Sequence, residues 1–365
     1  MTVHDFAIVG AGMAGASVAA ELAQGGARVV LLEAEDQPGY HATGRSAAFW
    51  DECYGGPGVV PLTLASGSYL REHGFLRQRG ALYVGRHEDS AQIDAFMDRF
   101  GPTGAHVERA HEGQIKQLVP GIREPWTHGI WEPACADIDV AGLHAHYLAR
   151  ARSNGAIVTC RARVTQAART GDFWNIRMAD GQTVAAHTLV NAAGAWADEI
   201  GQCAGARPMR LTPYLRTVVQ LETDPLPPAD MPLVLDISGA FYFKPEAGRL
   251  WLSPHDEVPS AACDAAPEEL SIAEAIDRLQ RVVDWRIVRV EKRWAGLRTF
   301  APDRLPVYGP DPRVPGLVWF AGQGGFGIQT APAAARLLAQ KLLGAEPDVM
   351  TRSLDAAAYD PARFG

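Results

Sequence analysis

The sequence predicts an α/β fold of two domains. One is discontinuous and built on a parallel sheet; the other is built on a mostly antiparallel β-sheet. Three observations carry this expectation. A strand, a glycine turn and a helix open the chain, from Phe6 to Gln24. A second strand–glycine–helix unit closes it, from Leu317 to Leu343. Between them, from Met209 to about Arg293, strand-like runs alternate with Pro-rich loops around a single helix.

The opening unit is the most specific. Phe6-Ala7-Ile8-Val9 is an apolar run with the length of a buried strand. Gly10-Ala11-Gly12-Met13-Ala14-Gly15 follows with GxGxxG spacing, and an Ala-rich helical stretch continues to about Gln24. After the Gly25-Gly26 break comes a second apolar strand, Arg28 to Leu32, closed by Glu33 and Ala34. Gly10 permits the tight turn, Gly12 lets a pyrophosphate approach the backbone, and Gly15 lets helix and strand pack closely. The helix start, with Met13 and Ala14, offers free N–H groups and the positive end of the helix dipole to phosphates. Glu33 is placed to accept hydrogen bonds from ribose hydroxyls. The unit predicts a dinucleotide and leaves NAD or FAD open.

Composition narrows the class. The chain has 365 residues, 47% hydrophobic and 21% charged, the profile of a globular protein of two-domain length. A net charge of −8 argues against nucleic acid and anionic membranes as partners. No apolar run reaches the roughly 18–20 residues of a membrane span. Asp5 and the turn at Gly10 leave no room for a secretory leader, so the expected location is cytoplasmic. Cys53, Cys135, Cys160, Cys203 and Cys263 are scattered and odd in number, which fits a reducing compartment and predicts no metal site.

The elements between the two glycine units follow in order. A helix is expected over Gly142–Ser153, and strands over Ile157–Cys160, Ala162–Ala168 and Phe173–Met178. Asp180-Gly181 signals a hairpin into Thr183-Val184. Thr188 to Ala193 is an apolar strand that runs into Gly194, with a short helix over Ala195–Cys203. Further strands are expected at Val218–Glu222, Ala240–Lys244 and Arg249–Leu252, and a helix at Ile272–Val283. Finally Leu317–Phe320 is a buried strand, Ala321–Gly327 a glycine loop, and Ile328–Leu343 a helix. The expected division is 1–77, 141–205 and 293–365 for the dinucleotide domain, and 78–140 and 206–292 for a substrate domain.

Four segments taken together identify a resemblance: Gly10–Gly15 with Glu33; Tyr40-His41-Ala42-Thr43-Gly44-Arg45-Ser46-Ala47-Ala48; Leu189–Trp196; and Gly322–Gln329 preceded by Trp294-Ala295-Gly296-Leu297-Arg298-Thr299-Phe300. Over nearly its whole length the chain resembles flavoproteins of the D-amino-acid oxidase superfamily, and within it the D-arginine dehydrogenase type. The resemblance implies a Rossmann-like FAD-binding domain of the glutathione-reductase kind and a sheet that roofs the flavin. It implies that Thr43, Gly44, Arg45, Ser46, Ala47 and Ala48 lie along the pyrophosphate and flavin, and Val164 at the adenine. It places Ala193, Gly194 and Trp196 near the phosphate or adenine. Gly322, Gly324, Gly325, Phe326, Gly327, Ile328 and Gln329 would form a loop whose helix start faces the flavin N1–O2 edge.

The implied substrate residues are Arg298, which would anchor an amino-acid carboxylate, Tyr242, Tyr54 and Arg216. A guanidinium suits that task because it is always charged and binds carboxylates bidentately. The implied reaction passes hydride from Cα to flavin N5 without a strong general base, and the imine hydrolyses to a 2-oxo acid and ammonia. Oxidation of glycine, an N-substituted glycine, an imino acid or a 2-hydroxy acid is the alternative; a non-catalytic dinucleotide-binding protein is a third class. Where the resemblance expects an acid for a cationic substrate, this chain has Ala81, and Phe49 stands for an expected histidine. A pocket of Phe49, Trp50, Ala81, Tyr83, Gly325 and Gln329 then favours a small or apolar side chain over D-Arg and D-Lys, unless Asp51 or Glu52 turns inward. No cysteine lies in Leu297–Ala301, so FAD is expected to be non-covalent. The electron acceptor and the oligomeric state are not encoded in these motifs.

Overall fold

The computed structural model describes residues 2–47 and 49–365. Its first sheet forms around the opening unit. Strand Val3–Val9 lies between Val29–Leu32 and Thr183–Asn191, parallel to both, and Ile157–Thr159 extends the parallel set beyond Val29–Leu32. Val9 pairs with Leu32 on one side and Asn191 on the other, so the carboxyl ends of these strands are level. Thr183–Asn191 divides its other edge. Its first part pairs antiparallel with the hairpin Val164–Thr170/Phe173–Met178, and its last residues pair parallel with Leu317–Ala321. Val307–Pro310 completes the sheet against that strand.

Strands covered on both faces read as unbroken apolar runs, and VVLL and LVWFA are buried throughout. Helices Met13–Gln24, Val140–Ser153 and Ala331–Leu343 cover one face, with Ile8, Leu22, Leu31, Tyr147 and Leu338 in the shared core. The Val164–Met178 hairpin and helix Ala197–Cys203 close the other, around Trp174 and Trp319.

The second sheet has ten strands. From one edge they run Gln323–Gly324, Arg286–Phe300, Thr212–Asp224, Arg249–Ser253, Tyr242–Glu246, Leu233–Asp236, Ala81–Gly85, His128–Glu132 and Glu108–Ala110, with Val258–Pro259 beside Thr212–Asp224. All the pairings are antiparallel except Ala81–Gly85 with Leu233–Asp236. Helix Glu269–Val282 packs Ile272, Ala275 and Leu279 against it. Phe49–Trp50, Ala136–Ile138 and Leu76–Gln78 form a third, small antiparallel sheet.

Several elements differ from the expectation. Strand Arg286–Phe300 was not anticipated, and it runs through the expected boundary at residue 293. Its outer half is exposed on one face and only half-buried at Ile287 and Glu291 on the other, so it lacks the apolar alternation that marks a strand. Helices Val60–Glu72, Ser90–Phe100 and Glu112–Leu118 were also not anticipated. The last helix begins at Ala331, not Ile328, because Pro332 suits a helix start and residues 325–330 form turns. Among the described residues no helix is long and apolar enough to cross a membrane.

Candidate active site

The level carboxyl ends of the parallel strands open onto a cleft of about 450 Å³, roofed by the second sheet. Its walls begin at Leu32, Glu33, Ala34 and Val164, pass Gly10, Gly12, Met13 and Ala14, and end at Phe49, Tyr54, Arg216, Tyr242 and Arg298.

The first end fits a dinucleotide. A side chain on Gly15 would put its Cβ 1.8 Å from the Gly10 carbonyl oxygen, so only glycine lets this helix approach its strand. The helix has no acidic residue in its first turn, and Gly12 has no side chain to cap it, which leaves its positive end toward the cleft. The Met13 N–H donates to Thr43 Oγ1 at 2.9 Å, which ties residue 43 to the helix start. Glu33 accepts from the Ala11 N–H at 2.8 Å and the Glu35 N–H at 3.0 Å. Those bonds fix a carboxylate at the cleft wall, with lone pairs left for ribose hydroxyls. These residues fit FAD: Glu33 and Ala34 would hold the adenosine half, the helix start the pyrophosphate, and Gly324–Gln329 the ring.

The opposite end is built by two long strands. Tyr214 pairs with Arg298, Arg216 with Gly296 and Val218 with Trp294. Directly opposed residues share a face, so Arg216 and Arg298 are diagonal neighbours facing the cleft. Arg298 Nη1 donates to the Tyr54 hydroxyl at 2.9 Å, and Nη2 donates to Glu257 Oε1 at 2.8 Å. Arg216 Nε donates to the Asp256 carbonyl at 3.1 Å, and Asp256 is held in turn by the Thr217 N–H and hydroxyl, each at 2.8 Å. Burial, and then the Arg298 charge, push Arg216 down to about 10, which leaves it cationic at neutral pH. Burial raises the Tyr242 phenol, so it stays protonated and can donate. Phe49 closes this end with its ring 5.6 Å from Tyr54 and 5.7 Å from Tyr242.

Most of the residues singled out in the sequence border this one cleft. Beyond those already named they include Arg45, Ser46, Ala47, Ala193, Gly194, Trp196, Gly327 and Ile328. Ala48 lies outside the described residues. Arg45 turns away from the phosphate path: it donates to the Ala265 and Ala295 carbonyls and pairs with Asp264. Gly44 and Gly322 border no part of the cleft and shape turns instead, and Phe326 is buried beneath.

Three pocket residues are corrected. Trp50 points opposite to Phe49, as strand alternation requires, and its indole donates to the Thr63 carbonyl. Ala81 and Tyr83 sit two strands beyond Tyr242, roughly 10 Å away at the usual strand spacing, and line no part of the cleft. Gln329 borders it, but its side chain is spent on Asp51 and Thr63. Asp51 and Glu52 do not turn inward. Asp51 accepts the Tyr83 hydroxyl, and Glu52 accepts the His106 N–H.

Sequence reasoning missed Asp256 and Glu257, which sit in a loop with no motif; Tyr40 and His41, quoted only within a motif, and Cys203 and Cys263, given no site role, also border the cleft. Gly296 was quoted only as part of a motif; its alternation with Arg298 along the strand is the signal that places it. Among the described residues only Asp51, Cys53 and Glu132 bring three possible metal-ligand atoms within 4.8 Å of one another. The Asp51 oxygens already accept hydrogen bonds, and burial and the acids keep the Cys53 thiol neutral.

Comparison with known proteins agrees with this geometry. The model of the FAD dependent oxidoreductase family, DAO, matches residues 5–341. Mitochondrial dimethylglycine dehydrogenase from Mus musculus is 26% identical over 395 residues, covering 98% of this chain and 44% of that protein. The chain thus spans about half the length of such relatives. Glycine oxidase from Geobacillus kaustophilus aligns with a TM-score of 0.85 at 23% identity, covering 100% of this chain and 99% of that one. Dithionite-reduced L-α-glycerophosphate oxidase from Mycoplasma pneumoniae, with FAD bound, has a TM-score of 0.86 at 18% identity, covering 99% of each chain. At those identities the two structures speak for the fold alone.

Proposed function

The chain belongs to the FAD dependent oxidoreductase family, and on that premise we propose that it oxidises a small D-amino acid to its imine, which water hydrolyses to the 2-oxo acid and ammonia. One observation carries the reading. Arg216 Nη2 and Arg298 Nε are buried N–H groups without a hydrogen-bond acceptor, on two cleft guanidiniums that share one carboxylate, Glu257, at 3.8 Å from Arg216 Nη2 and 2.8 Å from Arg298 Nη2. Two cations sharing one carboxylate leave charge and donors uncompensated; a buried N–H without an acceptor costs about 1–3 kcal/mol in general, and a substrate carboxylate removes that cost.

Bound FAD supplies the two-electron acceptor of the oxidation. The chain's residues position the substrate for it. Arg298 and Arg216 hold the carboxylate, Tyr54 braces Arg298, and the Tyr242 hydroxyl donates from a strand two places beyond that of Arg216. Phe49 bounds the space left for the side chain and excludes water. No free carboxylate or imidazole faces this end among the described residues, so the substrate amine must arrive neutral. Positioning and fixed charge then carry the catalytic contribution of the protein.

The aromatic wall and the inward bonding of Asp51 and Glu52 favour a small or apolar side chain over a cationic one. The name of one relative, a dimethylglycine dehydrogenase, also points to a small substrate. The D configuration rests on the motif resemblance. The experiment is anaerobic mixing of the purified holoprotein with D- and L-alanine, D-valine, D-arginine, N-methylglycine and a 2-hydroxy acid. Bleaching of the flavin band by D-alanine or D-valine, with D-arginine inert, is expected. Bleaching by N-methylglycine or the hydroxy acid alone would transfer the reading to those substrate classes.

A further inference from the structure

We propose that Asp51 is a positioning residue of this site: it anchors Tyr54, and through Tyr54 the substrate arginine Arg298, while Glu132 donates its carboxylic-acid proton to Asp51. The inference rests on the carboxylate-site reading above and adds residues that border no part of the cleft.

Asp51 is fully buried, with 0% exposure. Its Oδ1 accepts the backbone N–H groups of Cys53 and Tyr54, both at 2.8 Å, and its Oδ2 accepts the Tyr83 hydroxyl at 2.6 Å. An aspartate that caps the amides two and three residues ahead fixes the turn it starts. Here that turn delivers Tyr54, whose hydroxyl meets Arg298. Gln329 grips the Asp51 backbone on both sides, accepting from its N–H at 3.2 Å and donating to its carbonyl at 3.1 Å. Asp51 therefore links the substrate tyrosine to the cleft loop and, through Tyr83, to the roofing sheet.

Glu132 lies behind it, also at 0% exposure. Its Oε1 accepts the Glu52 N–H at 2.8 Å, whereas Oε2 has no donor. The two carboxyl groups lie within 4.8 Å of each other. Two adjacent carboxyls in a dry interior cannot both ionise. Asp51 receives three donors and Glu132 one, so the charge belongs on Asp51 and the proton on Glu132. That proton gives the orphaned oxygen its partner. Burial, and next the Asp51 charge, push Glu132 well above the usual carboxyl range.

The test uses the holoprotein and three variants: Asp51→Asn, Glu132→Gln and Glu132→Leu. Infrared difference spectra of wild type against Glu132→Gln should show a protonated carboxylic-acid band that the variant lacks. Hydrogen exchange at the Cys53 and Tyr54 amides should be about tenfold faster in Asp51→Asn, because charge-assisted bonds are lost. Acetate, titrated as a carboxylate probe through the flavin spectrum, should bind about tenfold more weakly to Asp51→Asn. For a turned-over substrate the KM should rise while kcat changes little. Glu132→Leu should loosen exchange and acetate binding, and Glu132→Gln, which keeps the donor, should restore both. An absent acid band, or Cys53 and Tyr54 amides that exchange at the wild-type rate in Asp51→Asn, would overturn the proposal. Should Asp51→Asn fail to fold, Glu132→Leu against Glu132→Gln decides it, and equal exchange in that pair overturns it. Wild-type holoprotein that ignores acetate would overturn the carboxylate-site reading, and the exchange result would still decide Asp51.

Discussion

Arg298 Nη1 and the Tyr54 hydroxyl meet at 2.9 Å across 244 positions of sequence. The contact exists because Gly325 leaves room for it: a Cβ there would lie 2.0 Å from the Tyr54 hydroxyl oxygen and 2.9 Å from Arg298 Cδ. Three distant segments thus share one point, where the cleft loop, the long roofing strand and the turn after Asp51 converge. The geometry that holds the guanidinium is imposed by the loop that borders the cofactor cleft.

Arg298→Lys should retain FAD and lose substrate affinity. Lysine keeps the charge but not the bidentate fork. The expected outcome is a KM at least about 30-fold higher, ~2 kcal/mol of lost binding, with an unchanged flavin-to-protein ratio. Steady-state kinetics and the visible spectrum check this together, and a variant with wild-type KM would remove Arg298 from the substrate site.

Gly325→Ala should act on the same point from the other side. The new methyl group collides with Tyr54 and Arg298, so one of them must move. A fall in kcat/KM of tenfold or more is expected, since misplacement of about 1 Å costs on the order of 100-fold. Gly15→Ala is different in kind. Its methyl would strike the Gly10 backbone, so the expected loss is of fold and FAD together, read as a lowered melting temperature and colourless protein.

The fold was legible where local rules and burial agree. Gly10, Gly12 and Gly15 sit between a buried strand and a helix, and no tertiary information was needed to place them. Arg298 and Tyr242 were found only through resemblance, because a single arginine or tyrosine in a strand carries no local signal. Trp50 went astray because its neighbour Phe49 presents the opposite face of the strand; Ala81, taken from the resemblance, and Tyr83 beside it went astray because a matched position does not say how far its strand lies from the cleft. Asp256 and Glu257, which hold both arginines, are loop residues whose role exists only in the folded chain.

Asp137→Asn should destabilise the protein, although Asp137 itself borders no part of the cleft. The Asp137 carboxylate accepts from Lys244 Nζ at 2.8 Å and from Arg79 Nε at 2.7 Å, and both cations are buried. Removing one partner of a buried pair leaves the other charge exposed to its desolvation cost, about 3 kcal/mol here because Glu246 still reaches Lys244 at 3.1 Å. Burial works to raise the Asp137 carboxyl, but Lys244 and Arg79 outweigh it and hold the group below its ordinary 3.8. A depressed carboxyl stabilises the fold above its unfolded value and loses that effect as the pH falls through its folded value. Wild type should therefore lose stability relative to Asp137→Asn only below about pH 3.8, a difference that thermal melts from pH 6 to pH 3 would reveal or refute.

FAD should leave the protein on acid precipitation. A covalent link needs a nucleophile beside the ring, and no cysteine lies near Arg298 or Gly324–Gln329 in the sequence. Of the cysteines, Cys203 and Cys263 border the cleft. Cys203 ends the helix that packs beside the Val164 strand, at the adenine end. Cys263 sits in the segment that Arg45 clasps through Asp264 and Ala265. Cys53 is buried, and desolvation with the neighbouring carboxylates raises its thiol so far that the thiolate does not form. Acid treatment should give a yellow supernatant and a colourless pellet, and Cys263→Ser should behave identically. Colour that stays with the pellet in wild type but not in Cys263→Ser would identify a thioether and refute the non-covalent assignment.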